Sequence, residues 1–366
     1  MAGTLRVELA EQFVGAVDEV RPHAATVRQC GAVKPAAIPL GKVPPEVLGR
    51  LLASLPPAAA ATDVRLGPAL GEDACALDVG DDVLVVAADP ITLTGTDVGR
   101  FAVIVNANDV AVCGARPRWF LATMLFPSGV TARDVEDAFA GMRDALAETG
   151  ATLVGGHTEV TDAVRTTVVA GTMLGFAPRG RVVTTSGASA GDVVVQLGLA
   201  PVEGAAVLAT ECTDRLRGLD PRVIDRAREG VVTPGINVVD AALRAAELGA
   251  SAMHDPTEGG LASGLHELAA ASAVALSVRQ PAVQWFAPGV EVCRKLDADP
   301  WATLASGCVL ATFPAEAATD AVTELVRSGY DAAAIGEARP GDGVRDEHDE
   351  PIPWPARDEV ARLLSS

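Results

Sequence analysis

The sequence predicts an α+β/α/β protein of two consecutive units, each a mixed β-sheet with helices packed on it. Three observations carry this. Strand-like runs arrive in pairs before a helical segment, instead of alternating strictly with helices. The pattern then resets after a Gly/Ser-rich stretch at 186–191. Finally, 366 residues that are 49% hydrophobic and 21% charged can bury one large core or two ordinary ones, which excludes disordered and disulfide-scaffold chains.

Residues 1–35 read as a helical extension, because Leu5, Val7, Leu9, Phe13, Val14 and Val17 recur near helical spacing. An N-terminal domain is expected over 36–185. It opens with a short helix at 45–55 and a Gly/Pro/Asp-rich bend at 67–73, followed by strands at 74–77 and 83–88 and a helix at 99–114. A strand at 119–126 precedes a helix at 131–148, which the pattern Thr131-x-x-Asp134 opens and Gly150 ends. Strands at 151–154 and 166–174 close the unit.

A C-terminal α/β domain is expected over 186–340. Its strands are placed at 193–197, 250–254, 274–278 and 303–312, and its helices at 202–210, 236–248, 258–271 and 315–327. Residues 341–366 read as an acidic tail, in which Pro351, Pro353 and Pro355 predict an absence of regular structure.

The net charge of −19 argues against a polyanion as a bulk partner, so no nucleic acid is expected. Apolar runs such as 83–88 and 101–105 fall far short of the roughly 20 residues that span a bilayer, so no membrane association is expected. Glu8, Glu11, Asp18 and Glu19 interrupt the start of the chain, unlike a secretory signal, which points to a cytoplasmic protein. The six cysteines form no C-x-x-C pair and read as small buried thiols, not as a zinc site. The common phosphate-loop, dinucleotide, zinc-protease and hydrolase-elbow motifs are absent.

Chemistry must therefore be read residue by residue. Asp73 follows Gly71-Glu72, Asp89 ends an apolar strand and Asp109 sits inside an apolar helix. Asp73 and Asp89 read equally as turn or cap residues. Asp109 is harder to dismiss, because a carboxylate amid Val103, Ile104, Val105, Val110 and Val112 must be paired or metal-bound. Asn106, three residues earlier, shares its face. Converging oxygens of this kind suit an octahedral Mg²⁺ that also carries phosphates. In Gly155-Gly156-His157-Thr158-Glu159, a strand runs into a glycine pair that lets a phosphate or ribose approach the backbone. In His254-Asp255-Pro256-Thr257-Glu258-Gly259-Gly260, a strand meets a helix, and Asp255 or Thr257 also reads as that helix's N-cap.

Taken in this order, these segments resemble the aminoimidazole-ribonucleotide-synthetase-like (PurM-like) ATP-binding superfamily, which includes selenophosphate synthetase, thiamine-monophosphate kinase and the hydrogenase maturation factor HypE. The resemblance covers about 40–340. It is carried by Gly-Glu-Asp73-Ala, Ala-Asp89-Pro, Asn108-Asp109-x-Ala-x-Cys-Gly-Ala-Arg-Pro117, the Gly155–Glu159 segment, and the long motif from His254 to Leu268. That last motif and Leu304-Ala-Ser-Gly-Cys308 look most like HypE.

The resemblance implies a two-domain PurM-like fold and a homodimer whose N-terminal domains join their sheets and bind ATP. It implies Mg²⁺ held by Asp73, Asp89, Asp109 and Asp255, and nucleotide contacts from Lys42, Asn106, Asn108, Gly155, Gly156, Thr158 and Glu159. Asp255 and His157 become the candidate catalytic residues. His157 also reads as a backbone-bonded histidine, and Lys42 as a surface lysine. The implied reaction activates an amide- or carbonyl-type oxygen by phosphoryl transfer, on a small-molecule or protein-borne acceptor. A kinase of the thiamine-monophosphate type and a nucleotide-binding maturation subunit without turnover are the alternatives. HypE ends in a cysteine-terminated tail, whereas this sequence ends in Ser365-Ser366, with Cys308 its last cysteine, so the acceptor is expected from another molecule. Selenophosphate synthetase carries a reactive Cys or selenocysteine in an N-terminal loop; here that region reads Leu40-Gly41-Lys42-Val43-Pro44-Pro45.

Overall fold

The computed structural model describes residues 38, 41–55, 62–92 and 97–365; the helix expected within 1–35 lies outside the described residues. The N-terminal half runs α1 (Pro45–Ala53), β1 (Val64–Leu66), β2 (Cys75–Val79), β3 (Asp82–Ala87), β4 (Pro90–Ile91), α2 (Val98–Val112), β5 (Arg116–Pro127), α3 (Ala132–Thr149), β6 (Thr152–Thr161) and β7 (Val168–Pro178). Period-2 burial makes the strands: Val83, Val85 and Ala87 of β3 and Val169, Met173 and Ala177 of β7 point into the core while their neighbours do not. The sheet order is β1-β2-β3-β7-β5-β6, with β4 also on β7. Its pairs are antiparallel except β5 with β6.

Helix α2 is buried along its whole length apart from Arg100. Such a helix must be largely apolar all round, and it is apart from Asn106, Asn108 and Asp109, because it packs against β7 and β3 on one side, α3 on another and the C-terminal half beyond. Helix α3 is amphipathic instead. The reciprocal capping box between Thr131 and Asp134 opens it, and Gly150, at φ +73°, ends it as read from the sequence.

The C-terminal half runs β8 (Val193–Gly198), α4 (Glu203–Glu211), α5 (Pro221–Glu229), α6 (Val239–Glu247), β9 (Ala252–His254), α7 (Gly260–Ser272), β10 (Ala275–Val278), α8 (Ala287–Leu296), β11 (Cys308–Phe313), α9 (Ala315–Arg327), β12 (Ala332–Arg339), β13 (Val344–Asp346) and α10 (Glu359–Leu364). Its sheet order is β13-β10-β12-β8-β11-β9. Strand β11 is buried at every position. One apolar cluster runs from the first sheet through α2 to α6, β8 and β11, so the two halves share a core.

Several boundaries differ from expectation. Strand β6 continues through Gly155–Glu159 to Thr161, because the whole segment pairs in parallel with β5. Strand β11 begins at Cys308, not near 303, since a turn at 300–302 and the Thr303 hydroxyl bond to the Asp299 carbonyl hold the preceding residues out of the ladder. Helices α5 and α8 and strand β12 had no counterpart in the sequence analysis.

The largest correction concerns residues 341–366. Strand β13 pairs in parallel with β10, the Ile352 amide donates to the Val344 carbonyl, and the Trp354 ring stacks on His266 at 5.0 Å. The prolines restrict only their own positions, and α10 starts beyond the last of them, where Asp358 caps it by accepting from the Val360 amide. Among the described residues no helix is long and apolar enough to cross a membrane.

Gly99 sets how closely α2 and α3 approach: a Cβ there would lie 2.0 Å from the Ala138 carbonyl oxygen. Gly99→Ala is expected to destabilise the fold by about 1–3 kcal/mol through overpacking, read by calorimetric unfolding. An unchanged unfolding temperature would show that α3 yields freely.

Candidate functional site

Four segments bring their acids together. The buried helix α2 carries Asp109, 3% exposed; the bend before β2 carries Asp73; the β3–β4 connection carries Asp89; and the β9–α7 turn carries Asp255, 1% exposed. Burial, and then the charges of Asp89, Asp73 and Asp255, push the Asp109 carboxyl well above the usual carboxylate range. Burial and Asp73 push Asp255 in the same direction, against the pull of His254. Among the described residues, Oδ2 of Asp109 and both carboxyl oxygens of Asp255 are buried without a hydrogen-bond partner. The structure thus gathers the four acids singled out from the sequence.

At the centre stands a residue to which the sequence analysis gave no role. His254 is buried with Nδ1 at 2.9 Å from Oδ2 of Asp73 and Nε2 at 2.9 Å from Oε2 of Glu267. Burial disfavours its charged form, yet the two carboxylates outweigh that cost and push its pKa up to about 10. Both ring nitrogens therefore donate, and His254 is an imidazolium at neutral pH. Asp73 belongs to the N-terminal half and Glu267 to α7, so this one cation ties the halves together at the acids.

Lys42 joins from the segment before α1. Its ammonium donates to Oγ1 of Thr257 at 3.3 Å, and its backbone amide to Oε2 of Glu258 at 3.0 Å. Desolvation works against its charge, but Glu267, Glu258, Asp73 and Asp89 together raise its pKa.

The two asparagines depart from expectation. Asn106 accepts from the Asp89 amide at 2.8 Å and donates to the Asp89 and Ala102 carbonyls, so it fixes the backbone of Asp89 from within the core. Asn108 donates to the Ile236 carbonyl at 2.9 Å and accepts from the Val238 amide at 3.0 Å, tethering the start of α6. Both are fully buried, with their amide groups engaged by the protein. They hold the site's frame from within the core. Neither Asp255 nor Thr257 caps α7, whose N-cap is Gly259 with no side-chain cap bond of its own.

The chain was compared with known proteins on this basis. Residues 71–177 match the AIR synthase related protein N-terminal domain, and residues 189–349 the corresponding C-terminal domain. The chain belongs to the AIR synthase related family. Carbamoyl dehydratase HypE of Rhodobacter capsulatus is 30% identical over 275 residues, covering 74% of this chain and 77% of that protein. A structure of hydrogenase maturation protein HypE in complex with ATP superposes with TM-score 0.61 at 23% identity, covering 81% of this chain and 92% of the other. AaThiL complexed with AMPPCP and TMP superposes with TM-score 0.66 at 19% identity, covering 84% and 94%.

Seen against this family, the acids fit a magnesium ion by the chemistry of their donors: hard carboxylate oxygens, three of them buried and partnerless. Among the described residues no three acidic, histidine or cysteine side chains already close on one point. That agrees with an ion held by one or two carboxylates together with phosphate oxygens.

The remaining candidates lie elsewhere. Gly155, Gly156, His157, Thr158 and Glu159 are on the exposed edge strand β6, where His157 Nε2 pairs with Oε2 of Glu159 at 3.1 Å. All but Glu159 line a shallow pocket with Phe139 and Met142 that none of the four acids enters. Gly156, at φ +146°, has no room for a Cβ, which would sit 2.0 Å from the Ala122 carbonyl. This glycine serves strand pairing.

A second acidic group sits behind Asp255. Burial pushes Glu203, at the start of α4, up to about 7, with Ser306 opposing and Asp358 and Glu258 adding to the shift. In the native state Glu203 therefore holds its proton to higher pH than in the unfolded chain, where its value is near 4.5. Stability falls as pH rises from about 4.5 through about 7, and the full cost remains above that. Glu203→Gln, which cannot ionise, is expected to match the wild type near pH 4.5 and to exceed it by on the order of 3 kcal/mol at pH 8. Urea unfolding at both pH values checks this, and a pH-independent difference would contradict it.

Proposed function

We propose that this protein is an ATP-dependent enzyme that activates an amide- or carbonyl-type oxygen by phosphoryl transfer, on a small-molecule or protein-borne acceptor. The observation that carries the reading is the gathering of Asp73 and Asp89 with Asp109 and Asp255, whose buried carboxyl oxygens lack a hydrogen-bond partner among the described residues, in a two-domain AIR synthase related chain. The similarity to a carbamoyl dehydratase, and to a HypE structure holding ATP, supports the same class.

In this reading the acceptor oxygen attacks the γ-phosphorus of ATP, the bond to the β-bridging oxygen breaks, and ADP leaves with that electron pair. The C–O bond of the activated group then breaks with its electron pair leaving on phosphate, as the neighbouring nitrogen gives up its protons to solvent and forms the new C–N bond, or as a second nucleophile takes the oxygen's place on carbon. Mg²⁺, held by one or two of the four acids together with phosphate oxygens, would supply neutralisation of the triphosphate charge. His254 aims Asp73, Asn106 fixes the backbone of Asp89, and the rigid burial of α2 holds Asp109. Lys42 stands at Thr257 and Glu258, where its ammonium would reach a phosphate. Asp255 is the candidate for contact with the reacting groups. The β6 segment, with His157, would serve from a second copy.

A plain kinase is the second reading, favoured by the equally extensive superposition on AaThiL bound to AMPPCP and TMP. A screen of amide and phosphorylatable acceptors with ADP and phosphate detection separates the two: acceptor-dependent ADP with free phosphate supports the first, and a phosphorylated product the second. ATP bound without any turnover would overturn both.

Asp109→Asn deletes a buried charge while keeping volume. It is expected to weaken binding of Mg²⁺-AMPPCP by about tenfold or more, with stability equal to or above the wild type. Titration calorimetry showing wild-type affinity would remove Asp109 from the site.

A homodimer belongs to the same proposal. Among the described residues strand β6 is an unpaired edge, and Leu121, Leu153, Val154 and Val160 are exposed on and beside it. Light scattering is expected to give about twice the 37.3 kDa chain mass; a value at the chain mass would count against it.

A further inference from the structure

The β9–α7 turn carries Asp255, Thr257 and Glu258 and ends in two glycines with left-handed backbone, Gly259 at φ +84° and Gly260 at φ +66°. Neither tolerates a side chain. A Cβ on Gly259 would lie 2.1 Å from Oγ of Ser263, and one on Gly260 2.5 Å from the Trp301 carbonyl. A Gly-Gly turn is also the segment with the most freedom to lose on ordering, so something outside it must hold it.

The holder comes from the end of the chain. Asp358 is 4% exposed, and its carboxylate is divided between two helices. Oδ1 accepts from the Val360 amide at 2.7 Å and caps α10, while Oδ2 accepts from the Gly259 amide at 2.7 Å, at the start of α7. Helix α10 is itself fixed, since Val360 and Leu363 enter an apolar cluster with Leu208, Leu216 and Val292. The carboxylate is thus presented from a rigid support to the glycine pair, while the Thr257 carbonyl accepts from the Ala305 amide earlier in the turn.

We propose that Asp358 is a positioning residue, through which the C-terminal segment holds the 255–260 turn in its ligand-binding form. The ligand half of this inference rests on the ATP reading above. Removing the carboxylate leaves the buried Gly259 amide without its acceptor and frees the turn behind Asp255.

The test uses the full chain with Asp358→Ala, Asp358→Asn and a control, Val360→Ala, which weakens the anchoring of α10 without touching Gly259. Two readouts are taken under conditions where circular dichroism shows each variant folded: affinity for Mg²⁺-AMPPCP, and amide exchange of 255–263 without nucleotide. Asp358→Ala is expected to lose about tenfold or more in affinity and to exchange faster in this segment. Asp358→Asn, keeping one acceptor oxygen, should fall between Asp358→Ala and the wild type. Val360→Ala should unfold at lower temperature with affinity and local exchange unchanged. Wild-type affinity and exchange in Asp358→Ala would overturn the proposal, as would a Val360→Ala variant that matched it in both. If the wild type itself bound no Mg²⁺-AMPPCP, the ATP reading and the ligand half would fall together. Unchanged exchange would overturn the structural half independently.

Discussion

Four carboxylates placed within reach of one another in a protein interior repel, and burial adds the cost of stripping each of water. In this chain the cation that meets that cost from inside is His254, 2.9 Å from both Asp73 and Glu267. Because one partner comes from each half of the chain, the contact that lowers the electrostatic cost also fixes how the halves meet at the acids. The bend carrying Asp73 leaves little slack: at Gly71, a Cβ would come within 3.3 Å of Glu267. Displacement of either half would leave an imidazolium or a carboxylate buried and alone, which costs far more than an exposed ion pair gains.

Much of this arrangement was readable because local rules apply to it. An apolar helix interrupted by an acid marked α2 and Asp109, and the same rule, applied to the apolar segment 260–272, would have marked Glu267 as well. The Thr131/Asp134 capping box fixed the start of α3, since every contact it makes lies within one turn. The four acids were grouped into one site through resemblance, as none of their separations in sequence implies proximity.

Other features were not readable, and for a common reason. His254 meets Asp73 across 181 residues, and Asp358 meets Gly259 across 99. No periodicity or capping pattern extends so far. The backbone bonds of Asn106 and Asn108 were not readable either, because a polar residue on a helix beside a site has two ways to be satisfied, by a ligand or by the backbone behind it, and the carbonyl of Ile236 lies 128 residues from Asn108. The three prolines near the C-terminus misled because they exclude regular structure only where they stand, and β13 and α10 fit on either side.

The frame in turn constrains what can approach. The chain carries a net charge of −19, and the cations set at the acids, His254 and Lys42, are already engaged, the first by Asp73 and Glu267 and the second by Thr257 amid four carboxylates. A bare triphosphate brought to this surface would add negative charge where two positive groups already face more acids than they balance. Neutral or cationic partners meet no such barrier. The anion this geometry admits is therefore one that arrives with its own positive charge, so that the partnerless oxygens of Asp109 and Asp255 gain a counter-ion in the same event. On the proposed reading, recognition would rest on the cation–phosphate pair as a unit.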